Sequence, residues 1–237
     1  MAELPNDNPR IVAIETSGRI GSVALAQGPQ LLVEHTFTRG LRHAIELLPA
    51  LRDLCAQVQW KPEVIEQVYL SIGPGSFTGI RIAVAVARSL SLATGCRLVA
   101  VPTLDVIAEN APKSLPNLVV MLDAKRGQVF AARYQRQPDS PALIRTAEPQ
   151  LIEPAEFMRS APAGTAVLGE GVSYHLPALA GIPQVDPALW PPRASEVHKL
   201  GWAKALRGEF TRLEDLIPLY IRLPEAEEVW QRKHASP

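Results

Sequence analysis

Residues 73–79 offer the clearest arrangement for chemistry in this sequence, because small and hydroxyl-bearing residues alternate there between an apolar strand and an apolar helix. Gly73, Gly75, Ser76 and Thr78 would place backbone N–H groups at the helix start, where they can hold a negative charge. The run lacks the lysine that follows the turn of a Walker A loop. We therefore favour a structural turn that caps the helix, with a weak anion nest as the alternative.

Ser76 is also the residue most easily interpreted as a nucleophile. A nucleophile elbow needs Gly-x-Ser-x-Gly, and Pro74 and Thr78 stand at the two glycine positions. Three histidines could still approach Ser76 in space, namely His43, His175 and His198. A single histidine is more often structural, so a peptidase is the least supported hypothesis, and a Ser76→Ala variant with unchanged cellular function would remove it.

Two acidic residues end predicted strands, Glu15 in the first half of the chain and Asp123 in the second. Facing each other between two lobes, they could hold a metal–phosphate complex. The structural alternative is that each carboxylate forms and caps its own turn. Neither residue has a second carboxylate beside it in sequence, so both remain weak candidates.

The composition argues against several classes of function. The chain has 237 residues, with 24 basic and 24 acidic side chains, so strong nucleic-acid binding by this chain alone is not expected. Cys55 and Cys96 lack metal-binding spacing, which predicts two buried thiols in a reducing cytoplasm and no metal site. We find neither a signal peptide nor an apolar run of spanning length, and we predict a cytoplasmic protein without membrane contact.

Short apolar runs predict the elements that must position these residues. The first half is expected to hold a three-strand meander, a helix, a strand, a second helix, a strand and a short helix. In chain order these elements are predicted at residues 11–14, 21–26, 30–37, 43–58, 68–72, 79–94, 97–101 and 102–108.

The predicted helix over residues 79–94 is apolar on nearly all of its sides. Only Arg81 and Arg88 are charged, and they lie on one face. A helix of this kind is buried on more than one side, either within its own domain or partly against another chain. The periodicity does not choose between these two interpretations.

Two other helices have apolar stripes that predict their buried sides. The helix over residues 43–58 is expected to bury Leu47, Leu51, Leu54 and Val58, with Ala44, Leu48 and Cys55 widening the stripe. The helix over residues 194–207 is expected to bury Val197, Leu200, Leu206 and either Ala203 or Trp202.

The second half of the chain repeats the plan of the first. Asp123 follows a predicted strand at residues 118–122 as Glu15 follows the first strand, which indicates an internally duplicated fold. Residues 110–116 carry two prolines and are the best linker candidate. The remaining predictions are short strands near Ile144 and Val167, a small helix at residues 154–159, an extended segment at 217–222 and a charged tail at 224–233.

Several of these stretches together resemble the bacterial TsaB family, in the family's order and over nearly the whole chain. The sequence Gly-Pro-Gly-Ser-Phe-Thr-Gly-Ile-Arg at residues 73–81 is close to specific for that family. The family typically has aspartate where Glu15 stands and serine where Ala44 stands. The other matching stretches are residues 11–17, 22–25, 42–43, 46–49, 101–105, 123–130 and 218–222.

The resemblance implies an α/β, two-lobed fold of the actin, sugar-kinase and Hsp70 superfamily, with mixed central sheets and a reduced second lobe. On this basis residues 1–112 form an N-terminal lobe with the partner-binding helices. Residues 113–237 form a smaller C-terminal lobe and tail. The phosphate loops of the superfamily would survive only as a weak remnant at Glu15, Thr16, Ser17 and Asp123.

The resemblance also implies a role in making threonylcarbamoyladenosine in tRNAs that read codons starting with A. In that system the paralogue TsaD transfers the threonylcarbamoyl group, and TsaB is its non-catalytic partner. TsaE, a P-loop ATPase, joins the pair, and TsaC makes the adenylate. We therefore expect a scaffold subunit with no catalytic residues, with tRNA, and any ATP or ADP, bound only at the level of the complex.

The partner surface of the family is built by its first two helices, which pack against the same elements of TsaD or, without TsaD, of a second TsaB. TsaD binds metal through two histidines four residues apart. Here a leucine, Leu47, stands four residues after His43, so that metal site is absent.

The alternative function is an actin-fold ATPase or small-molecule kinase acting alone. The residues carried over to the partner surface are His43, Leu47, Leu51, Arg81, Val84, Ala85 and Arg88.

Overall fold

The computed structural model describes residues 8–38, 40, 42–137 and 142–221. The charged tail predicted at residues 224–233 lies outside these residues.

A five-stranded mixed sheet forms the first half of the fold, in the order β3-β2-β1-β4-β5. Its strands are β1 (Arg10–Glu15), β2 (Ser22–Gln27), β3 (Gln30–Thr36), β4 (Gln67–Ser71) and β5 (Arg97–Val101). β1 pairs antiparallel with β2 and parallel with β4, so the hairpin and the parallel strands meet at β1. The predicted meander and the two later strands are confirmed.

The second sheet repeats this plan with one strand fewer, in the order β8-β7-β6-β9. β6 pairs antiparallel with β7 and parallel with β9, as β1 does with β2 and β4. The duplication inferred from sequence is therefore present in the strand pairing. The strands are β6 (Asn117–Asp123), β7 (Val129–Arg136), β8 (Leu143–Ile152) and β9 (Ala166–Leu168).

Six α-helices surround the two sheets in the described part of the chain. They are α1 (His43–Gln57), α2 (Phe77–Thr94), α3 (Thr103–Glu109), α4 (Pro154–Met158), α5 (Gly171–Tyr174) and α6 (Ala194–Leu206). α2 begins at the N-cap Ser76 and ends at Gly95, which is in the left-handed conformation.

The predicted division of the chain after residue 112 assigns α3 to the first half and α6 to the second. Each of these helices packs on the sheet of the other half. α3 precedes this boundary, but Leu104 and Ile107 belong to the core of the second sheet. α6 follows it, but Ala194 and Val197 belong to a core that covers one face of the first sheet. Each half of the chain therefore contributes one helix to the packing of the other half.

Polar contacts fix α3 to the second sheet. The Tyr134 hydroxyl donates to Asp105 Oδ1 at 2.7 Å, and Arg145 Nη1 donates to the same oxygen at 3.1 Å. Burial raises the pKa of Asp105, whereas Tyr134 and Arg145 act in the opposite direction. The carboxylate thus links α3 to β7 and β8.

The buried face of α6 agrees with the predicted stripe in part, because Val197 is buried and Leu200 and Trp202 pack partly buried on the core. Leu206 is 68% exposed and Ala203 is also exposed, whereas Ala194, Val197, His198 and Gly201 are buried. A Cβ at Gly201 would lie 2.5 Å from the Tyr69 ring, so the helix approaches β4 through a residue without a side chain. Apolar periodicity misses the centre of this face because a glycine and a histidine occupy it.

His198 is held in that interface by two contacts. Its ring stacks on Tyr69 with centroids 6.3 Å apart, and Nε2 donates to the Gly28 carbonyl at 2.8 Å. Burial lowers the pKa of His198 below its ordinary value of 6.5, and the bond to Gly28 does not offset this effect. The folded protein therefore favours the neutral imidazole.

We expect the free energy of unfolding to fall as the pH drops below 6.5, because the unfolded chain then binds a proton that folded His198 resists. Urea unfolding at about pH 7.5 and about pH 5.5 measures the effect. His198→Phe keeps an aromatic ring on Tyr69 but removes this titration, so its loss of stability over the same interval should be smaller. Equal losses in the two proteins would contradict the assignment.

α2 has 18 residues and is apolar enough, by length and composition alone, to cross a membrane. The expectation that the chain holds no apolar run of spanning length is therefore wrong for residues 77–94. Ile80, Ala83, Val84 and Ala87 nevertheless belong to the core between α2 and the first sheet. This packing is that of a core helix in a globular lobe.

Candidate functional site

The loop before α2 packs directly on the loop that follows β1. The Ser76 N–H donates to the Ser17 carbonyl at 2.7 Å, and the Thr16 hydroxyl donates to the Gly79 carbonyl at 2.8 Å. A Cβ at Gly75 would lie 2.4 Å from the Ser17 oxygen, and one at Gly79 only 1.9 Å from the Thr16 oxygen. The glycines of this run therefore allow two backbone segments to touch.

Several N–H groups of the predicted anion nest form hydrogen bonds within the chain. Ser76 Oγ accepts from the Gly79 N–H at 3.2 Å, and the Gly73 N–H donates to Thr103 Oγ1 at 3.1 Å. Together with the Ser76–Ser17 bond, these contacts occupy the N–H groups of Gly73, Ser76 and Gly79, while Thr78 is exposed. The structure therefore favours the capping turn over the anion site.

The histidines weighed as bases for Ser76 have other neighbours. His43 Nε2 donates to the Gly18 carbonyl at 3.0 Å, and His198 Nε2 donates to the Gly28 carbonyl. His175 Nε2 lies 3.8 Å from Asp123 Oδ1 in the second half of the fold. Ser76 acts as the N-cap of α2, which is a structural role.

Glu15 lies inside the β1–β2 loop and is fully buried. Its Oε1 accepts from the Ser17 N–H at 2.6 Å and from the Ser17 hydroxyl at 2.5 Å. Burial raises the pKa of Glu15, and hydrogen bonds from the loop oppose this shift. The carboxyl group is thus committed to its own turn.

Asp123 occupies the equivalent position in the second sheet and is more accessible. Lys125 Nζ lies 3.0 Å from Asp123 Oδ2, and the Lys125 N–H donates to Oδ1 at 3.2 Å. In the described ranges, no group of three or more His, Cys, Asp or Glu side chains could hold a metal ion. The two acidic residues therefore each stabilise a hairpin.

Four of the seven residues carried over to the partner surface are buried in the chain itself. His43, Leu47, Leu51 and Val84 are each at most 7% exposed and pack toward the first sheet, so a partner could contact them only slightly. Arg88 is half-buried, and its Nη2 donates to the Leu213 carbonyl at 2.9 Å.

The outward side of α1 and α2 carries different residues. Arg81 and Ala85, both in the predicted set, are exposed on α2. Ile45 is 66% exposed and Leu48 55% exposed on α1, and Leu92 is 75% exposed on α2. Sequence reasoning placed Leu48 on the buried stripe and did not select Ile45 or Leu92. We call Ile45, Leu48, Ala85 and Leu92 the outer helix face.

An aromatic stack borders the first turn of α2. The Phe77 and Tyr220 rings stack with centroids 5.2 Å apart, and the Arg81 guanidinium lies 4.7 Å from the Phe77 centroid. The Leu219 N–H donates to the Ile72 carbonyl at 2.8 Å, which ties the segment before Tyr220 to the end of β4. The predicted extended segment at residues 217–222 therefore begins beside α2, and its last residue lies outside the described part.

Two sheets of one plan, each with a hairpin beside a parallel strand, define a two-lobed α/β protein of the actin, sugar-kinase and Hsp70 class. The reduction of the second sheet to four strands agrees with a smaller second lobe. The fold class inferred from sequence is confirmed.

The comparisons with known proteins identify a particular family within this class. Residues 39–229 match the family model described as TsaD: tRNA N6-adenosine threonylcarbamoyltransferase. The chain therefore belongs to that family, and its relatives place it in the TsaB branch.

Two relatives are similar over nearly their full length, and both are named tRNA threonylcarbamoyladenosine biosynthesis protein TsaB. That of Bacillus subtilis (strain 168) is 28% identical, covering 93% of this chain and 97% of the relative. That of Escherichia coli (strain K12) is 25% identical, covering 90% and 94%.

A solved structure supports the same assignment. The chain is similar to an uncharacterized protein with similarity to peptidase YEAZ from Pseudomonas aeruginosa, with a TM-score of 0.79 and 26% identity. The match covers 90% of this chain and 100% of that one.

Proposed function

We propose that this chain is a non-catalytic scaffold subunit required to form threonylcarbamoyladenosine in tRNAs that read A-starting codons. Its task is to bind and activate a TsaD-type transferase. The observation that carries the proposal is the outer helix face, where three large aliphatic side chains are more than half exposed on adjacent helices.

The outer helix face has the chemistry of a protein contact. Burying a leucine or isoleucine side chain contributes about 1.5–3 kcal/mol, so Ile45, Leu48 and Leu92 together could supply a large part of a stable association. Arg81, one turn before Ala85, and Arg52, one turn after Leu48, add exposed charges beside the face, which favours a defined orientation of the partner. Helix-on-helix packing is the natural use of two such exposed surfaces.

The expected partner is the transferase paralogue, in a heterodimer, because this chain matches the transferase family model and the two proteins should therefore carry related helices. In its absence a second copy of this chain would cover the same face. TsaE and TsaC act in the same pathway. The complex, and not this chain alone, binds tRNA and any ATP or ADP. The proposal implies a cytoplasmic location, because tRNA is modified there.

Reconstitution of tRNA modification is the direct test. Purified TsaD, TsaC and TsaE should modify tRNA efficiently with this chain and fail to do so without it, as measured by mass of the released nucleosides. Full modification in the absence of the chain would refute the scaffold role.

The competing hypothesis is an actin-fold ATPase or kinase that acts alone. Glu15 is hydrogen-bonded within its own loop, and the Ser76 and Gly79 N–H groups are hydrogen-bonded within the chain. These bonds argue against the ATPase or kinase hypothesis. Steady turnover of ATP by the purified chain would favour this alternative.

A further inference from the structure

The aromatic stack at the start of α2 lies on the same side of that helix as the outer helix face. Phe77, Arg81, Ala85 and Leu92 follow one another at intervals of four, four and seven residues, so they share one side of α2. All four are exposed. Tyr220, which stacks on Phe77, is itself 40% exposed. A largely apolar, exposed stripe therefore runs from Tyr220 along α2 to Leu92.

The last part of the chain begins at this stripe. Leu216 is fully buried in the core beneath α2, and the Leu219 N–H donates to the Ile72 carbonyl at 2.8 Å. These contacts hold the chain in place up to the stack, and the described residues end one position after Tyr220. Residues 222–237 follow in the sequence, and we call them the C-terminal segment.

The C-terminal segment has the composition that the stripe would require of a ligand. Its apolar residues recur at the spacing of an amphipathic helix, and one side of such a helix could lie on the stripe. They are Leu223, Ala226, Val229 and Trp230. Its acidic residues come within eight positions of Tyr220, and the exposed Arg81 lies beside the stack, so opposite charges would meet. They are Glu225, Glu227 and Glu228.

The C-terminal segment is long enough to cover the outer helix face. Ala85 lies eight residues after Phe77, which is about 12 Å along the helix axis. Residues 222–230 span about 14 Å as a helix and about 30 Å when extended, so Trp230 can reach the level of Ala85 in either form. Because the segment belongs to the same chain, its effective concentration at the face is on the order of millimolar, and weak contacts suffice.

We propose that the C-terminal segment folds back onto the outer helix face of its own chain, with Trp230 beside Ala85, and competes there with the TsaD-type partner. This regulation rests on the proposed scaffold role, because it requires the outer helix face to be the partner surface. Docking removes exposed aliphatic side chains from water in the free chain. The partner must displace the segment, so its apparent affinity falls with the fraction of chains in which the face is open.

Fluorine NMR of the full chain labelled with fluorotryptophan tests the docking without any partner. The chain has four tryptophans, and the Trp230 resonance is the one lost in Trp230→Phe. We expect this resonance to differ from that of a free peptide of residues 222–237. Ala85→Glu places on the face a charge that repels the glutamates, so it should move the resonance to the position of the peptide. Gln57→Glu adds the same charge on the opposite side of α1, and this matched control should leave the resonance unmoved.

The buried Trp190, which is 8% exposed, verifies in the same spectra that each variant is folded. Leu92→Glu, at a side chain that is 75% exposed, repeats the test on the same face and guards against a loss of folding. The proposal is overturned if the Trp230 resonance of the unchanged protein matches the peptide, or if neither folded face variant moves it. A resonance that leaves the peptide position only as the protein concentration rises would also overturn it, since the segment would then cover a second copy.

Calorimetric titration with the purified TsaD-type partner tests the competition. Val229→Ser combined with Trp230→Ser removes the largest apolar side chains of the segment, so we expect about tenfold tighter binding, the gain if about nine-tenths of the free chains are closed. Equal affinity, with Leu48→Arg still weakening the partner, would overturn the competition. Failure of the scaffold role gives a different pattern, because Leu48→Arg would then leave partner affinity unchanged while Trp230 still responds to Ala85→Glu.

Discussion

Replacing Gly79 with alanine should destabilise the protein by about 3 kcal/mol or more, because the added methyl group has no room. Its Cβ would lie 1.9 Å from the Thr16 carbonyl oxygen and 3.1 Å from His43 Cδ2. Neither neighbour can yield easily, since Thr16 and His43 are both buried and hydrogen-bonded to this region. Urea unfolding followed by circular dichroism would measure the loss.

Gly95→Ala is the matched control at the other end of α2. Gly95 has a φ of +74°, and a Cβ there would meet nothing within 4 Å. The cost should be only the left-handed conformation, about 1–2 kcal/mol. If Gly79→Ala proved no worse than Gly95→Ala, the close packing of the two loops would be wrong.

Local chemistry explains why much of the fold could be predicted. The Ser76 cap, the Gly95 stop and the two strand–acid–turn hairpins each depend on a few neighbouring residues. Such signals survive in a single sequence because the side chain and the backbone group that it satisfies lie within a turn of each other.

Contacts between distant segments explain the rest. Nothing near α6 in sequence indicates that Gly201 meets Tyr69, or that α3 and α6 exchange halves.

The outer helix face shows a different limit. Periodicity correctly predicted the buried stripe of α1 at Leu47, Leu51 and Leu54, but α2 is apolar on nearly all sides and offered no stripe that could be assigned to the first sheet. Leu47 and Val84 proved to be core residues, and Leu48 proved to be exposed. A substitution such as Val84→Glu would bury a charge and threaten the fold, whereas Ala85→Arg remains a clean surface change.

Leu48→Arg should weaken binding to the TsaD-type partner by at least about thirtyfold, the effect of losing one interface hot spot. Leu48 is 55% exposed, so arginine can point into water in the free chain and leave the fold intact. In the complex, the same charge would be buried among apolar side chains without a partner, which is costly. Calorimetric titration with purified TsaD would measure the change, and urea unfolding would verify unchanged stability.

Gln57→Arg provides the matched control, because Gln57 is exposed on the same helix but points to the side opposite Leu48. It introduces the same charge and should leave partner binding within about twofold. Ala85→Arg, on the neighbouring helix, should act like Leu48→Arg and also reduce self-association of the isolated chain in sedimentation. Tight binding by both face variants would mean that the partner docks elsewhere, and the exposed aliphatic side chains of α1 and α2 would then need another explanation.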